Sequence, residues 1–319
     1  MQGMKIGNLA IGIFAGIAGG LMALAGFQAG TAAIALIFAA PAAIYLASLA
    51  WGPLSGFAAA LAATAVLAYD GELKMPLVAL VVLFAPAAWA GHLANLGQVL
   101  GDGRTLVWYP VGRILWHMML VLTVGFWVAG YIGGFSEDRI APLFVELMKE
   151  ISRTNPELPP VPDEVLMDSA RLYAAILPLI IPAIWLMLHM LVLHLSSQVT
   201  RLSGKLARPA EDIAANVTLP PAALVFTGIG LLAMLLLDSP FGEAGSVMAG
   251  LGIAGLGLTG LGELHTVTRN RPSRPLILFL SWFTLILFSL PIVIFAVMGA
   301  GRVLRTAGIS TTPPTGGKS

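Results

Sequence analysis

The chain has 319 residues, 58% of them hydrophobic and only 10% charged, with no cysteine and a formal net charge of +1. A soluble domain carries about 25% charged residues, so this composition excludes a water-covered globule and predicts an integral membrane protein, with a mean hydropathy of +0.89. The balanced charge, scattered at segment ends, speaks against a nucleic-acid partner, and the missing thiols exclude disulfides, cysteine nucleophiles and Cys-based metal centres.

One bilayer crossing takes about 20 apolar residues. From Ile6 to Tyr69 there is no Asp, Glu, Lys or Arg, which is room for three spans, near 6–26, 31–49 and 53–69. Gly26 to Gly30 and the Trp51-Gly52-Pro53 step supply the turn chemistry. Lys5 ahead of an apolar run and Ala23-Leu24-Ala25 resemble a secretory signal, but with so many apolar segments behind it the run reads as a retained first span. That span carries Gly12, Gly16 and Gly20 at spacings of four, a small-residue stripe suited either to packing within the chain or to docking a separate membrane subunit.

Single spans follow at 75–101, 114–136, 172–200, 213–237, 244–262 and 275–301. The expected fold is therefore all-α: a polytopic helical membrane protein of about nine spans, with eight as the alternative, forming one membrane domain over 1–319. Between the fifth and sixth spans, 134–171 reads as an amphipathic extracytoplasmic loop, with Ile140, Leu143, Phe144, Leu147, Met148 and Ile151 on one helical face. It would lie on the outer ends of the bundle or form a lid, and Pro162-Asp163-Glu164 marks the start of the next helix. The segment 245–262 holds seven glycines and is expected to be enclosed at the centre. Residues 306–319 read as a flexible tail.

Lys and Arg set the orientation. The loops 97–113, 196–218 and 262–274 hold two, three and three of them and alternate to one side, expected to be the cytoplasm, with the cytoplasmic (inner) membrane as the location. Nine spans with the N-terminus inside would strand Arg302 and Arg305 outside. Either the last segment, interrupted at Pro291, does not cross fully, or the count is eight.

Ionisable groups at membrane depth are the default places to look for function. His92, Arg113, His117, His189, Glu263 and His265 all fall toward the basic side and form a candidate polar cluster. Interface residues, a polar cavity or a docking site would each suit them. The opposite ends are nearly bare, with Gln28, Asp70, Lys74, Asp238 and Glu243 as the visible groups. No HExxH, GxSxG, P-loop or dinucleotide fingerprint occurs, so neither an enzyme nor a cofactor is expected.

Four stretches are familiar together. The run from Pro41 through Trp51-Gly52-Pro53-Leu54-Ser55-Gly56 to Tyr69-Asp70-Gly71 is similar to the second and third spans of proteins related to the S components of energy-coupling-factor transporters. Trp108-Tyr109-Pro110-Val111-Gly112-Arg113, then Arg201 to Pro209 followed by Leu219-Pro220, and Gly262-Glu263-Leu264-His265 before Arg269, Arg271 and Arg274, resemble the alphaproteobacterial branch of the DUF2232 family, which includes the YybS-like proteins. Gly52, Pro53 and Gly56 are its motif positions here. The chain departs from that family at the end, with Gly299-Ala300-Gly301-Arg302 in place of an Asp-and-aromatic tail.

The resemblance implies an S-component-like core that binds a small molecule near the outer side and turns its first span toward a coupling partner. Two expectations result. One is a transporter-like small-solute-binding component whose partners are the bilayer, an unidentified solute and a membrane protein, either a coupling subunit or a second copy. The other is a non-enzymatic membrane scaffold that docks other proteins through its basic loops.

Overall fold

The computed structural model describes residues 6–29, 33–69, 71–101, 103–133, 137–155, 157, 161–288 and 292–310. Helix α1 (Ile6–Gln28) rises along α4 (Pro53–Leu67), and between them the chain returns through α2 (Ile34–Ala39) and α3 (Pro41–Trp51). The α1–α4 pair is parallel and nearly in contact backbone to backbone, because a Cβ at Gly12, Gly16 or Gly20 would overlap Ser55, Ala59 or Ala63 in turn. Without a hydrophobic driving force inside lipid, such close packing is what holds helices together. At the bottom of this unit Gly52 takes a φ of 96°, a conformation open to glycine. Pro53 then starts α4, where its missing N–H leaves no bond unmade.

The next descent is α5 (Lys74–Ala79), one π turn (Leu80–Phe84) and α6 (Ala85–Ala94). Pro86 has no N–H for the Val82 carbonyl, so the regular ladder cannot continue through this point. A two-stranded antiparallel hairpin follows, β1 (Gly97–Val99) pairing with β2 (Leu106–Trp108). It is a small addition to the all-α expectation and lies between two apolar helices. Helix α7 (Val111–Gly133) climbs back.

Within 134–171 the structure has the amphipathic helix that the sequence pattern predicts and the start of the next helix. Helix α8 (Glu137–Thr154) packs Ala141 and Val145 against Leu166, Ala170 and Ala174. These belong to α9 (Asp163–Leu202), which begins at the Pro-Asp-Glu signal and runs for 40 residues. At 1.5 Å per residue α9 is about 60 Å long, roughly twice the apolar thickness of a bilayer, so its first turns project beyond the bundle and carry α8.

A loop containing the short α10 (Ile213–Asn216) leads to α11 (Ala222–Leu236) and α12 (Phe241–Val267). All seven glycines of 245–262 are buried in α12, the central helix, which packs on α7, α9, α10, α11 and α14 (Ile292–Ser310). Glycine weakens a helix by about 1 kcal/mol relative to alanine; here the loss is offset by close approach, as where a Cβ on Gly260 would lie 1.8 Å from the Phe295 carbonyl oxygen.

Among the described residues, six helices are long and apolar enough to cross a membrane, and three apolar helices are shorter. The ninth expected span does not exist as one helix. Residues 275–301 are divided between α13 (Arg274–Phe288), half of whose described side chains are exposed, and α14. Leu285 reaches the level of Leu261 and Phe295, and α14 then runs back toward the C-terminal end of α12, where Arg302 and Arg305 meet Glu263. Both arginines thus lie beside the basic loops. Residues 306–310 continue α14 and are not a tail; Pro291 and 311–319 lie outside the described residues.

Candidate functional site

The basic end is laced together by charges whose partners lie far off in sequence. Arg208, 7% exposed, pairs with Glu211 and donates to the Ala94 carbonyl at the end of α6. Arg302, 9% exposed, donates to the Ala214 carbonyl at 2.9 Å and lies 3.5 Å from Glu263, which also accepts from Arg305 at 2.9 Å. Arg269 binds Asp212, whose side chain caps α10 at the Ala215 N–H. The Arg269 hydrogen bond, with the backbone bonds from Ala215 and Ala214, holds the Asp212 carboxyl below the usual carboxylate range. Lys205 sits 4.1 Å from the Trp51 ring centre. Together these contacts tie the 203–221 loop to α3, α6, α12 and α14.

The six expected cluster residues do not form one site. His117 Nε2 is 3.0 Å from the Tyr109 hydroxyl, and Trp89 lies between the rings of His92 and His117. His92 Nδ1 and Trp89 Nε1 are buried without a hydrogen-bond partner. Arg113 is exposed, so its shared face with His117 produces no pair. Glu263 is taken up by Arg302 and Arg305, and His265 sits half-buried at the last turn of α12.

His189 is elsewhere, fully enclosed in the middle of the bundle. Its Nε2 is 2.9 Å from the Val82 carbonyl oxygen and its Nδ1 is 3.1 Å from the Tyr45 hydroxyl. The carbonyl requires Nε2–H to donate, so Nδ1 accepts from Tyr45. Pro86 is the reason that carbonyl is free. The position therefore reads as a structural bridge joining α3, the π turn and α9.

The stripe of Gly12, Gly16 and Gly20 is occupied by α4 of the same chain, so it is not open to a separate subunit. Gly52 and Pro53 form the α3–α4 turn, while Gly56 and Gly91 admit Ser48 between α4 and α6. No group of three or more metal-ligating side chains converges among the described residues.

The opposite end holds a different arrangement. A cavity of about 250 Å³ opens there between α7, α9 and α12. Its wall contains Phe126, Trp127 and Tyr131 from α7, Pro178 and Pro182 from α9, and Pro240, Phe241 and Glu243 at the start of α12. Trp127 is fixed by donating its Nε1–H to the Ala244 carbonyl at 3.2 Å. Among the described residues Glu243 supplies the one carboxylate of the lining, and no Lys, Arg or His lines the space; its Oε2 is buried and has no hydrogen-bond partner. Glu243 was visible in the sequence as an outer polar group. Its aromatic surroundings were not singled out, although Trp127 and Tyr131, and Pro178 and Pro182, are i, i+4 pairs that share a helix face.

Comparison of the chain with protein-family models, with curated proteins and with solved structures finds no match.

Proposed function

We propose that the chain is a multi-pass protein of the cytoplasmic membrane that acts as a transporter-like, small-solute-binding component, similar in plan to an energy-coupling-factor S component. The observation that carries this reading is the aromatic cavity at the end away from the basic loops, with its single carboxylate. Ligand sites are typically concave and mostly apolar, with few polar groups to fix orientation; this cavity matches that description in its lining, with a volume a little below the usual range of roughly 300–1,000 Å³. The scaffold reading has less support: Arg208, Arg269, Arg302 and Arg305 on the basic face already have partners within the chain.

In the proposed topology the basic end faces the cytoplasm. Eight helical runs cross, and α13 with α14 forms a re-entrant pair that returns the C-terminus to the side where the chain began. The absence of cysteine makes this directly measurable. Single cysteines replacing Gln98 and Thr306 should react with an impermeant maleimide from the same face of the membrane, and one replacing Glu146 from the other face. Labelling of Thr306→Cys together with Glu146→Cys would restore a ninth crossing. Solute binding is tested by thermal stabilisation of the purified protein against a metabolite panel. A true ligand at 100 times its dissociation constant adds about 2.7 kcal/mol, and a panel without a single stabiliser would remove the reading.

A further inference from the structure

An isolated carboxylate in a low-dielectric wall is costly unless a cation accompanies it. Glu243 is half-buried, its Oε2 is enclosed and without a partner, and among the described residues no basic side chain lines the cavity to neutralise it. Part of the negative charge is balanced by the helix dipole, since Glu243 stands in the first turn of α12, but that interaction is worth only about 0.3–1 kcal/mol. The remaining lining is rich in groups that attract positive charge. Phe126, Trp127, Tyr131 and Phe241 present π systems whose faces are negative. Pro182 has no N–H to give the Pro178 carbonyl, so at the cavity wall α9 lacks one of its regular helical hydrogen bonds. Carboxylate and ring faces both attract positive charge, and an anion or a strongly hydrated metal ion would find little here to replace its water.

We infer that this cavity binds an organic ammonium ion, with Glu243 as its counter-ion and the surrounding aromatic residues as its apolar walls. The inference rests on the solute-binding reading and names the class of solute. A volume of about 250 Å³ suits a compact amine or quaternary ammonium compound. The same chemistry is carried by the ethanolamine headgroup of a lipid, because Tyr131 and Phe241 remain exposed at the rim.

The test uses the full-length protein in lipid nanodiscs and equilibrium binding of radiolabelled phenethylammonium. Tetramethylammonium serves as the quaternary probe, and 3-phenylpropanol and 3-phenylpropionate as neutral and anionic probes of similar size. Saturable phenethylammonium binding is expected in phosphatidylglycerol discs, displaced by tetramethylammonium and not by 3-phenylpropionate. Glu243→Gln should weaken it at least tenfold and Trp127→Leu several-fold, both without lowering the unfolding temperature enough to depopulate the fold. If binding in phosphatidylethanolamine discs is suppressed, the natural occupant is the lipid headgroup; if it is unchanged, a free solute is indicated.

Equal affinity in parent and Glu243→Gln protein would overturn the assignment, as would failure of both ammonium probes. Binding of the neutral or anionic probe in that case would leave a solute site of another class, whereas silence from every probe together with an inactive metabolite panel would remove the solute-binding reading itself.

Discussion

The two ends of the bundle solve the problem of polar groups in opposite ways. At the basic end charges are numerous and mostly paired. Arg208 has Glu211, Arg302 and Arg305 share Glu263, and Arg269 holds Asp212. At the far end the projecting α8–α9 hairpin pairs Lys149 with Asp163 and Arg153 with Glu150, yet the carboxylate of the cavity has an enclosed oxygen without a partner. The unpaired atoms at the basic end include His92 Nδ1 and Trp89 Nε1, on groups that can remain neutral, where an unmade hydrogen bond costs about 1–3 kcal/mol, and Arg201 Nε, whose guanidinium still donates to Gln198 at 2.9 Å. A lone charge is the larger anomaly. Abundance of polar side chains thus marks where the fold is fastened, and the unsatisfied charge marks where something else can bind.

The largest effect on this contrast should come from separating α12 and α14. Leucine at Gly260 would place its Cβ 1.8 Å from a backbone oxygen that cannot rotate away. Overpacking usually costs 1–3 kcal/mol and more when only backbone can yield, so Gly260→Leu is expected to exceed roughly 3 kcal/mol and to abolish a monodisperse peak on size-exclusion chromatography. A Gly260→Leu protein that unfolds at the parental temperature would mean that α14 is not fastened there.

The extent to which these two ends were readable in the sequence follows from what each depends on. Length and apolarity placed α1, α7, α9 and α12 closely, because a span needs a minimum run of apolar residues. The turn at Gly52-Pro53 and the start of α9 at Asp163 were readable from local chemistry. The division of 275–301 was signalled by the interruption at Pro291 and by the conflict over Arg302 and Arg305, and its resolution needed Glu263, about 40 residues earlier. His189 does not join His92 and His117 because it stands 13 residues before the end of α9, about 20 Å into the bundle at 1.5 Å per residue. Arg208 and Asp212 were seen only as loop residues, since a pair is invisible until both partners are placed. The aromatic cavity is assembled from three helices, and its rings look like ordinary interface aromatics until Glu243 is seen among them.

A middle-sized effect separates the two carboxylates. Glu263→Ala leaves Arg302, 9% exposed, beside an empty space, and is expected to destabilise the protein by roughly 1–3 kcal/mol without changing phenethylammonium binding. The double variant Glu263→Ala/Arg302→Met should recover part of that loss, because residues in one network couple by about 0.5–3 kcal/mol. Additive losses would show that the two side chains are independent.

Glu243→Gln should do the reverse. The substitution is close to isosteric and removes a charge with no counter-ion in the cavity wall, at the loss of the weak interaction with the dipole of α12, about 0.3–1 kcal/mol. Stability in the absence of ligand is therefore expected to rise, while affinity for the ammonium probe falls. A lower unfolding temperature for Glu243→Gln than for the parent would place Glu243 among the fastening residues, and the contrast between the ends would collapse.

The smallest effect lies at the outer margin of the basic end, where Arg269 and Asp212 are both accessible to solvent. Solvent screening keeps such pairs weak, so the consequence is local: the tether of α10, whose Ala215 N–H is capped by Asp212. The Asp212 carboxyl is held below its ordinary range by Arg269 and the α10 backbone. A group with a depressed folded-state pKa contributes stability that is complete above its unfolded value, near 3.9, and is lost as pH falls through the folded one. Amide protection in 213–216, corrected for intrinsic exchange rates, should accordingly hold from neutral pH down to about 4 and decline only below it. Asp212→Asn should show the reduced protection already at pH 7. Equal protection in both proteins would mean that the Arg302 contact to the Ala214 carbonyl alone is enough to hold α10 in place.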